Sequence, residues 1–357
     1  MENRILTFAV VSFLPVPLIL MSAIYGGWWV VIACLYITVF TFTLDQLIPL
    51  SASTKQPQGV FPWADTLSTI LAISHFFVLA LVVWALSSNP TLGIFDMLGL
   101  FIATGLFLGQ VSNSNAHELI HRSRKRLFNL GKWVYISMLF GHHTSAHLLV
   151  HHRFAATDLD PNSAENDESF YIFARRAWIG SARAGYEMES GRLRNLRQKP
   201  HRFSNPYYTY TIGAFASLLI AFTIGSWGGV LALVALSTYA QIQLLLSDYV
   251  QHYGLRRATL PNGKLVPMGL QHSWNAPHWL SNFLMLSAPR HSDHHAHPNR
   301  PYPALILPDA DVAPSLPYSL PAMAVIALYP RLWRKVMDPR VAQWQERALR
   351  EAHSLAV

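Results

Sequence analysis

Cysteine and charged residues are both scarce in this chain. Cys34 is the single cysteine among 357 residues, so no disulfide can form within the chain. Only 13% of the residues are charged and 52% are hydrophobic, whereas soluble domains contain roughly 25% charged residues. The shortage of charge excludes an ordinary soluble domain and is typical of an integral membrane protein.

Six apolar runs are long enough to cross a bilayer core of about 30 Å, which takes roughly 20 helical residues. The predicted spans are residues 6–25, 28–50, 67–86, 92–112, 210–226 and 228–247. We therefore expect an all-α integral membrane fold with six transmembrane helices, in which residues 1–357 form one domain. A His-rich di-metal region outside the bilayer is expected to comprise residues 113–206 and 248–357.

The basic residues indicate the orientation of these spans. All 27 lysines and arginines fall on one side of the predicted layout, and basic loops stay on the cytoplasmic side. We expect a bacterial-type inner membrane protein with both termini and the active site in the cytoplasm. Anionic lipid accounts for this basic face, and an acidic electron carrier is an alternative partner. No nucleic acid is expected.

Three other polar or apolar stretches are expected to lie outside the spans. Residues 133–150 are nearly long enough to cross, but crossing would place histidines on opposite membrane faces. Residues 303–330 are interrupted by prolines and aspartates, which favours an interfacial or re-entrant segment. The acidic stretch 160–169, "DPNSAENDES", is predicted to be a solvated loop.

Histidine is the residue in excess, with 17 copies, and nine of them fall in four short motifs. The motifs are "HELIH", "HLLVHH", "SDYVQHYGL" and "HSDHH". On a helix, histidines three to five residues apart lie close to one face, so each cluster is expected to direct its imidazoles toward one point. Counting along the predicted helices places His117 and His252 at one depth.

The first motif alone matches the H-E-x-x-H pattern of zinc peptidases, in which Glu118 would be the general base. Nine imidazoles exceed the three protein ligands of a catalytic zinc, and two metals sharing them as four plus five is the natural division. Imidazole binds Zn, Cu, Fe and Ni. A site reached from a lipid-facing cavity favours redox iron.

The four motifs, with "LQHSWNAPH" and "ESFYIF", resemble the membrane alkane 1-monooxygenase (alkane omega-hydroxylase) family, kin of xylene monooxygenase in the wider fatty acid desaturase/hydroxylase superfamily. The resemblance extends from about the fourth span to Pro301. It implies a non-haem di-iron enzyme that uses O₂ to hydroxylate a terminal methyl group, with a medium-chain n-alkane as the expected substrate. It also implies electrons from rubredoxin and rubredoxin reductase. The iron ligands that it implies are His117, His121, His147, His151, His152, His252, His291, His294 and His295.

The sequence departs from the family pattern at two motifs. Ala146 replaces the acid before the second motif, and "DYVQHYG" replaces the family's "NYIEHYG", which moves the carboxylate from position 251 to Asp248. We predict that Glu118, Asp248 and Asp293 accept hydrogen bonds from ligating histidines.

Other histidines fall outside the matched positions. His142, His143, His272, His278 and His297 are expected to support the ligands or the fold. His75 lies within the third predicted span, where it either lines a substrate channel or bonds a neighbouring helix.

Several other functions stay open at this point. A xylene-type methyl hydroxylase or a fatty-acyl desaturase or hydroxylase would use the same metal pair, and its product would identify it. An intramembrane zinc metallopeptidase explains "HELIH" but leaves seven matched histidines without a role. A metal transporter is disfavoured because the motifs lie outside the spans.

Overall fold

The computed structural model describes residues 2–48, 61–196, 201, 203–259 and 263–354, and this part of the chain is helical without any strand. The α-helices, numbered in chain order, are α1 Glu2–Phe13, α2 Pro15–Tyr25, α3 Trp28–Leu35, α4 Thr41–Leu47, α5 Pro62–Ser88, α6 Ile94–Phe107, α7 Asn113–Ile120, α8 Lys125–Ser137, α9 His143–Ala146, α10 His152–Phe154, α11 Phe170–Arg194, α12 Pro206–His252, α13 Trp279–Leu284, α14 His291–Ala296, α15 Leu320–Ala327 and α16 Pro330–Ser354. Three π-helical segments, Tyr36–Phe40, Leu108–Ser112 and His147–His151, interrupt this series.

Within the part of the chain that the structure describes, five helical stretches are long and apolar enough to cross a membrane. They are Arg4–Tyr25, Trp28–Leu47, Trp63–Ser88, Ile94–Ile120 and Pro206–His252. The sequence predicted six spans, and its last two, 210–226 and 228–247, both lie within the 47-residue helix α12. Residues 49 and 50 of the second predicted span and Lys55 lie outside the described residues.

Helix α12 contains a sharp turn. Gly225 and Ser226 have non-helical backbone angles, with φ 51° and ψ −142° at Ser226. A Cβ atom on Gly229 would lie 2.1 Å from the carbonyl oxygen of Ala221, although residues eight apart in a continuous α-helix are separated by about 12 Å. The chain therefore folds back at this turn, and α12 consists of two arms.

The core of the bundle depends on close approach of α6 to its neighbours. A Cβ on Gly99 would lie 2.3 Å from Val30 of α3, and one on Gly105 would lie 2.0 Å from the Tyr239 ring of α12. Burial of apolar side chains gives little drive for association in lipid, so small residues that allow close van der Waals contact are favoured at such interfaces. The Gly105 contact holds α6 beside the second arm of α12, and the Gly99 contact holds α6 against α3.

The end of α12 is held by an aromatic cluster. Tyr249 and Tyr253, one turn apart, contact Trp333 of α16 with ring centroids 5.1 and 5.2 Å away. All three side chains are fully buried, and Tyr253 donates a hydrogen bond to Asp338 at 2.8 Å. This packing fixes the position of His252, which lies between the two tyrosines in sequence.

The two apolar stretches that were predicted to lie outside the membrane spans do not form spans. Residues 133–150 comprise the end of α8, a turn, α9 and part of the π-helical segment that follows. Residues 303–330 contain α15 between irregular segments. Neither contains a helix long enough to cross, in agreement with the expectation from the sequence.

Replacing Gly105 by Ala is expected to lower the apparent melting temperature of the solubilised protein. The new methyl group would overlap the Tyr239 ring, and overpacking of this kind costs about 1–3 kcal/mol. Gly191→Ala in α11 is the matched control, because the nearest atom to its Cβ position is 3.9 Å away. Equal melting temperatures for the two variants would contradict the proposed close contact.

Candidate metal centre

All nine histidines of the four motifs come together, in two adjoining groups. Within each group the candidate ligand atoms all lie within 4.8 Å of one another. The first group consists of His117, His121, His147, His152 and His294, and the second of His151, His252, His291 and His295. The groups are in contact, since the rings of His152 and His295 lie 4.8 Å apart. The second group is fully buried and the first is partly exposed.

The second motif contributes to both groups because it is π-helical. A π-helix forms hydrogen bonds five residues apart, which places His147 and His152 together with their Nε2 atoms 3.0 Å apart. His151 faces the other group. The expectation that each cluster directs its imidazoles to one point was therefore wrong for this motif.

The fourth motif is divided in the same way by α14. His291 and His295, four residues apart, contact each other in the second group through Nε2 atoms 3.1 Å apart. His294 turns to the first group, where its Nε2 lies 3.1 Å from that of His152. A single helical turn thus supplies both groups, and the prediction of a common point fails here as well.

The arrangement of imidazole nitrogens in these groups suits metal coordination better than hydrogen bonding between the histidines. A neutral imidazole has one donor and one acceptor nitrogen, so converging Nε2 atoms cannot all be satisfied by protons. In the second group, the Nε2 atoms of His252 and His291 lie 2.9 Å apart, while the Nε2 of His151 is buried and has no hydrogen-bond partner among the described residues. Imidazole-binding cations would satisfy this donor set.

The electrostatic environment keeps most of these imidazoles neutral. Burial, reinforced by the charges of neighbouring histidines, lowers the pKa of His147, His294 and His295 well below the ordinary value. They are therefore uncharged at neutral pH. The neutral imidazole is the form that binds a metal, so the site is prepared for cations without the loss of protons.

His151 differs because a carboxylate holds it. Its Nδ1 lies 2.9 Å from Oδ2 of Asp160. Burial alone would lower the pKa of His151, but the charge and hydrogen bond of Asp160 outweigh burial and raise it. A carboxylate on the outer ring nitrogen fixes the ring orientation and directs Nε2 toward the metal position.

Asp160 lies in the stretch that was predicted to be a solvated acidic loop, and this prediction was wrong for its first half. Asp160 is 1% exposed and accepts hydrogen bonds from the hydroxyl of Ser163 and the backbone N–H of Asn162. Glu165 to Asp167 are exposed, as expected. A signal was present in the sequence, because the uncharged residues Asn162 and Ser163 can fold around a buried carboxylate.

The same loop reaches Asp248, one of the three predicted supporting carboxylates. Asn162 donates a hydrogen bond from Nδ2 to Oδ2 of Asp248 at 2.6 Å. Asp248 and Gln251 both line a small cavity beside the histidines. The carboxylate that the sequence moves from position 251 to 248 therefore still faces this cavity.

Like Asp248, which is bonded to Asn162, the other two predicted carboxylates have partners other than ligating histidines. Glu118 forms an ion pair with Arg122 at 2.5 Å and accepts a hydrogen bond from the backbone N–H of Tyr302. Asp293 contacts Arg300 and lies 3.1 Å from Nδ1 of His297. These carboxylates connect the motifs to the following chain, which holds the backbone of the site in place.

Three histidines outside the two groups have contacts of their own. His143 lines the small cavity and stacks on Phe140, while His272 accepts a hydrogen bond from the N–H of Gly269. His75 contacts Ser137 of α8 through Nε2 at 2.9 Å. This contact corresponds to the helix-to-helix alternative for His75.

Two cavities meet beside the histidines. The small one has a volume of about 50 Å³ and is lined by His117 and His147 of the first group and His291 of the second. A larger, mainly apolar cavity of about 450 Å³ lies between the membrane helices and α15. Among the described residues, three line both cavities and so lie between them; we call Gly109, Ser247 and Met285 the neck.

Replacing Asp160 by Asn is expected to lower metal affinity about 10- to 100-fold, the usual effect of losing a hydrogen bond behind a metal-ligating histidine. Chelator competition on the purified protein measures it. Asp158→Asn is the matched control, since the Asp158 side chain is 92% exposed. Equal metal retention by both variants would show that Asp160 does not support a metal ligand.

Sequence comparisons with known proteins identify the family of this chain. Residues 91–326 match the model of the fatty acid desaturase family. Alkane 1-monooxygenase 1 of Alcanivorax borkumensis is 34% identical over 302 residues, 81% of this chain and 72% of that protein. Alkane 1-monooxygenase 2 of Pseudomonas aeruginosa is 31% identical over 72% of this chain and 68% of its own length. The hydroxylase component of xylene/toluene monooxygenase from Pseudomonas putida is 26% identical over 90% of this chain and 85% of its own. The chain therefore belongs to the fatty acid desaturase family and is an oxidoreductase of the alkane 1-monooxygenase type.

Proposed function

We propose that this protein is a non-haem di-iron monooxygenase that hydroxylates the terminal methyl group of a medium-chain n-alkane to give a primary alcohol. The observation that carries the proposal is the apolar cavity of about 450 Å³ that meets the histidine cavity at a narrow neck. Two iron ions, bound by the first and second histidine groups, would supply the activation of O₂. The nine histidines are the proposed ligands.

The lining of the large cavity favours a hydrocarbon over a fatty-acyl substrate. Its side chains include Ile37, Leu106 and Val325, and none of the lining residues, all within the described part of the chain, carries a charge. A carboxylate or phosphate placed there would lack a cationic partner, and an unpaired charge in apolar surroundings is very costly. An alkane has no group that needs such a partner.

The neck accounts for attack at a chain end. The histidine cavity beyond it has a volume of about 50 Å³, which leaves room for only a small part of a hydrocarbon chain. A linear chain in the large cavity can extend its terminal methyl group past Gly109 and Met285. The surrounding side chains thus position one end of the substrate and keep bulk water from it.

Asp160 and Asp248 have separate roles in this proposal. Asp160 orients His151 through the hydrogen bond to Nδ1. Asp248 lines the histidine cavity and is held by Asn162, so it supplies a polar group beside the place where the substrate methyl would lie. One loop therefore supports both a ligand and the wall of the reaction space.

The proposal also includes the membrane arrangement and the electron donor. Each arm of α12 is close to the roughly 20 residues that a crossing requires, so six crossings of one 1–357 domain are compatible with the fold. Basic residues on the histidine side support a cytoplasmic site at the inner membrane. They also suit an acidic electron donor such as rubredoxin, reduced by its reductase.

A methyl group on an aromatic ring is the second candidate substrate. The xylene/toluene monooxygenase component is similar to this chain over 90% of the chain's length. Both reactions use a methyl C–H and the same histidines. Turnover of n-octane and of xylene under identical conditions decides between them.

Metal analysis tests the two-group site. The purified protein is expected to contain about two iron ions per chain, the number in a dinuclear centre, and to convert n-octane to 1-octanol with O₂ and reduced rubredoxin. His121→Ala and His252→Ala, one from each group, should each lower the iron content and abolish hydroxylation. His201→Ala, which alters an exposed histidine outside both groups, is the control.

Three results would contradict the proposal in different ways. One zinc ion with activity that does not depend on O₂ would favour the peptidase. An alkene product would favour a desaturase. Full iron content and activity in both single variants would show that the histidine groups do not bind the iron or take part in the reaction.

Leu106→Phe tests the large cavity as the alkane site. The added ring volume should shift the preference toward shorter alkanes, because Leu106 lines this cavity. Ile220→Phe is the matched control, since Ile220 lines a separate apolar cavity of about 320 Å³ that shares no lining residue with the histidine cavity. Product yields from C6 to C12 alkanes measure the preference, and an equal shift in both variants would reject this assignment.

A further inference from the structure

Gln110 has an unsatisfied side-chain oxygen in the wall of the mainly apolar cavity. It belongs to the π-helical segment Leu108–Ser112, next to the neck residue Gly109, and it lines the large cavity. The residue is 7% exposed. Its Oε1 is shielded from solvent and has no hydrogen-bond partner among the described residues. A strong acceptor thus remains unsatisfied in a space suited to hydrocarbon.

An alkane cannot satisfy this acceptor. A buried polar group without a partner costs about 1–3 kcal/mol, and a bound alkane would also displace any water from the cavity. The neighbouring amide of Gln243 does not serve as the donor, because its Nε2 bonds the carbonyl oxygens of Gly105 at 2.7 Å and Tyr239 at 3.4 Å. A ligand with an O–H group would satisfy Gln110.

A second hydroxyl-binding position lies at the neck. Ser247 lines both cavities, and its Oγ donates a hydrogen bond to Oε1 of Gln251 at 2.8 Å. Gln251 is itself held by a hydrogen bond from Nε2 to the carbonyl oxygen of Ala288. Because its own proton is engaged, the Ser247 hydroxyl is available as an acceptor.

We infer that Gln110 and Ser247 form a binding site for the hydroxyl group of a primary aliphatic alcohol. The inference rests on the proposed function, which produces such an alcohol in the histidine cavity. The hydroxyl donates first to Ser247 at the neck and then to Oε1 of Gln110 in the large cavity. Gln110 lies seven residues before His117, about 10 Å along the helix.

This site gives the alcohol a route back through the apolar cavity. A hydroxyl group that crosses an apolar passage without a partner loses its hydrogen bonds to water. Two acceptors along the passage replace those bonds in succession. The cavity therefore binds an alcohol more tightly, relative to the alkane of equal length, than a purely apolar wall would.

Gln110→Met tests the inference, because Met has a similar length and lacks the amide. The measured quantity is the ratio of dissociation constants for tritiated 1-octanol and n-octane, with the iron-loaded protein in nanodiscs. Partition of each ligand into lipid is the same for every variant, so it cancels when ratios are compared. We expect the relative affinity for 1-octanol to fall about tenfold, the usual effect of one lost hydrogen bond.

Leu106→Met is the matched control, since it introduces the same side chain into the same cavity without removing a polar group. It should keep the wild-type ratio. A measurement on the wild-type protein gives an independent test if Gln110→Met fails to fold. 1-Fluorooctane has no O–H group to donate a hydrogen bond, so after correction for partition it should bind more weakly than 1-octanol.

The outcomes separate this inference from the function on which it rests. An unchanged ratio in Gln110→Met, or equal binding of 1-octanol and 1-fluorooctane to the wild type, would overturn the hydroxyl site and leave alkane hydroxylation intact. Failure of n-octane to bind or react in the wild type would overturn the proposed function itself. A tenfold change confined to Gln110→Met would support the site.

Discussion

Nine imidazoles held close together, in one buried and one partly exposed group, are the constraint on which the structure depends. Burial and mutual repulsion keep imidazoles such as His147, His294 and His295 neutral, and neutral rings whose Nε2 atoms meet at about 3 Å cannot all be satisfied by protons. The surrounding side chains and helices hold these imidazoles close together. Asp160 orients His151, the aromatic cluster around Trp333 fixes the end of α12, and α14 supplies both groups from one turn.

The π-helical segments have a common effect on the site. His147–His151 changes the angular spacing of the second motif, so that one motif serves two groups. Leu108–Ser112 carries the neck residue Gly109 and the unsatisfied Gln110, and Tyr36–Phe40 contributes to the wall of the large cavity. A π turn re-aims side chains without ending a helix. It therefore allows ligands and cavity walls to be built on continuous membrane helices.

The sequence predicted much of the site and less of its geometry. The resemblance to the alkane 1-monooxygenase family implied the same nine histidines that the structure brings together. Motif spacing supported the clustered ones, because residues three to five apart remain neighbours on a helix. His147 and His151 belong to different groups because of a π-helical turn that the residue pattern did not predict. Asp160 was missed because an acidic, Pro-containing stretch usually indicates a solvated loop, and the local signal from Asn162 and Ser163 does not establish burial without the tertiary packing.

By itself, the sequence determined the membrane-protein class, the helical character and the identity of the histidines that can act as ligands. The class and the helical character follow from composition and local spacing, and the set of histidines follows from motifs that resemble a known family; none of these depends on how the helices pack. The tertiary structure alone decided which histidines form each group, that Asp160 supports His151, and that Gln110 faces an apolar cavity without a partner. Each of these depends on contacts between residues far apart in the chain, whose distances are set by packing and the turn in α12.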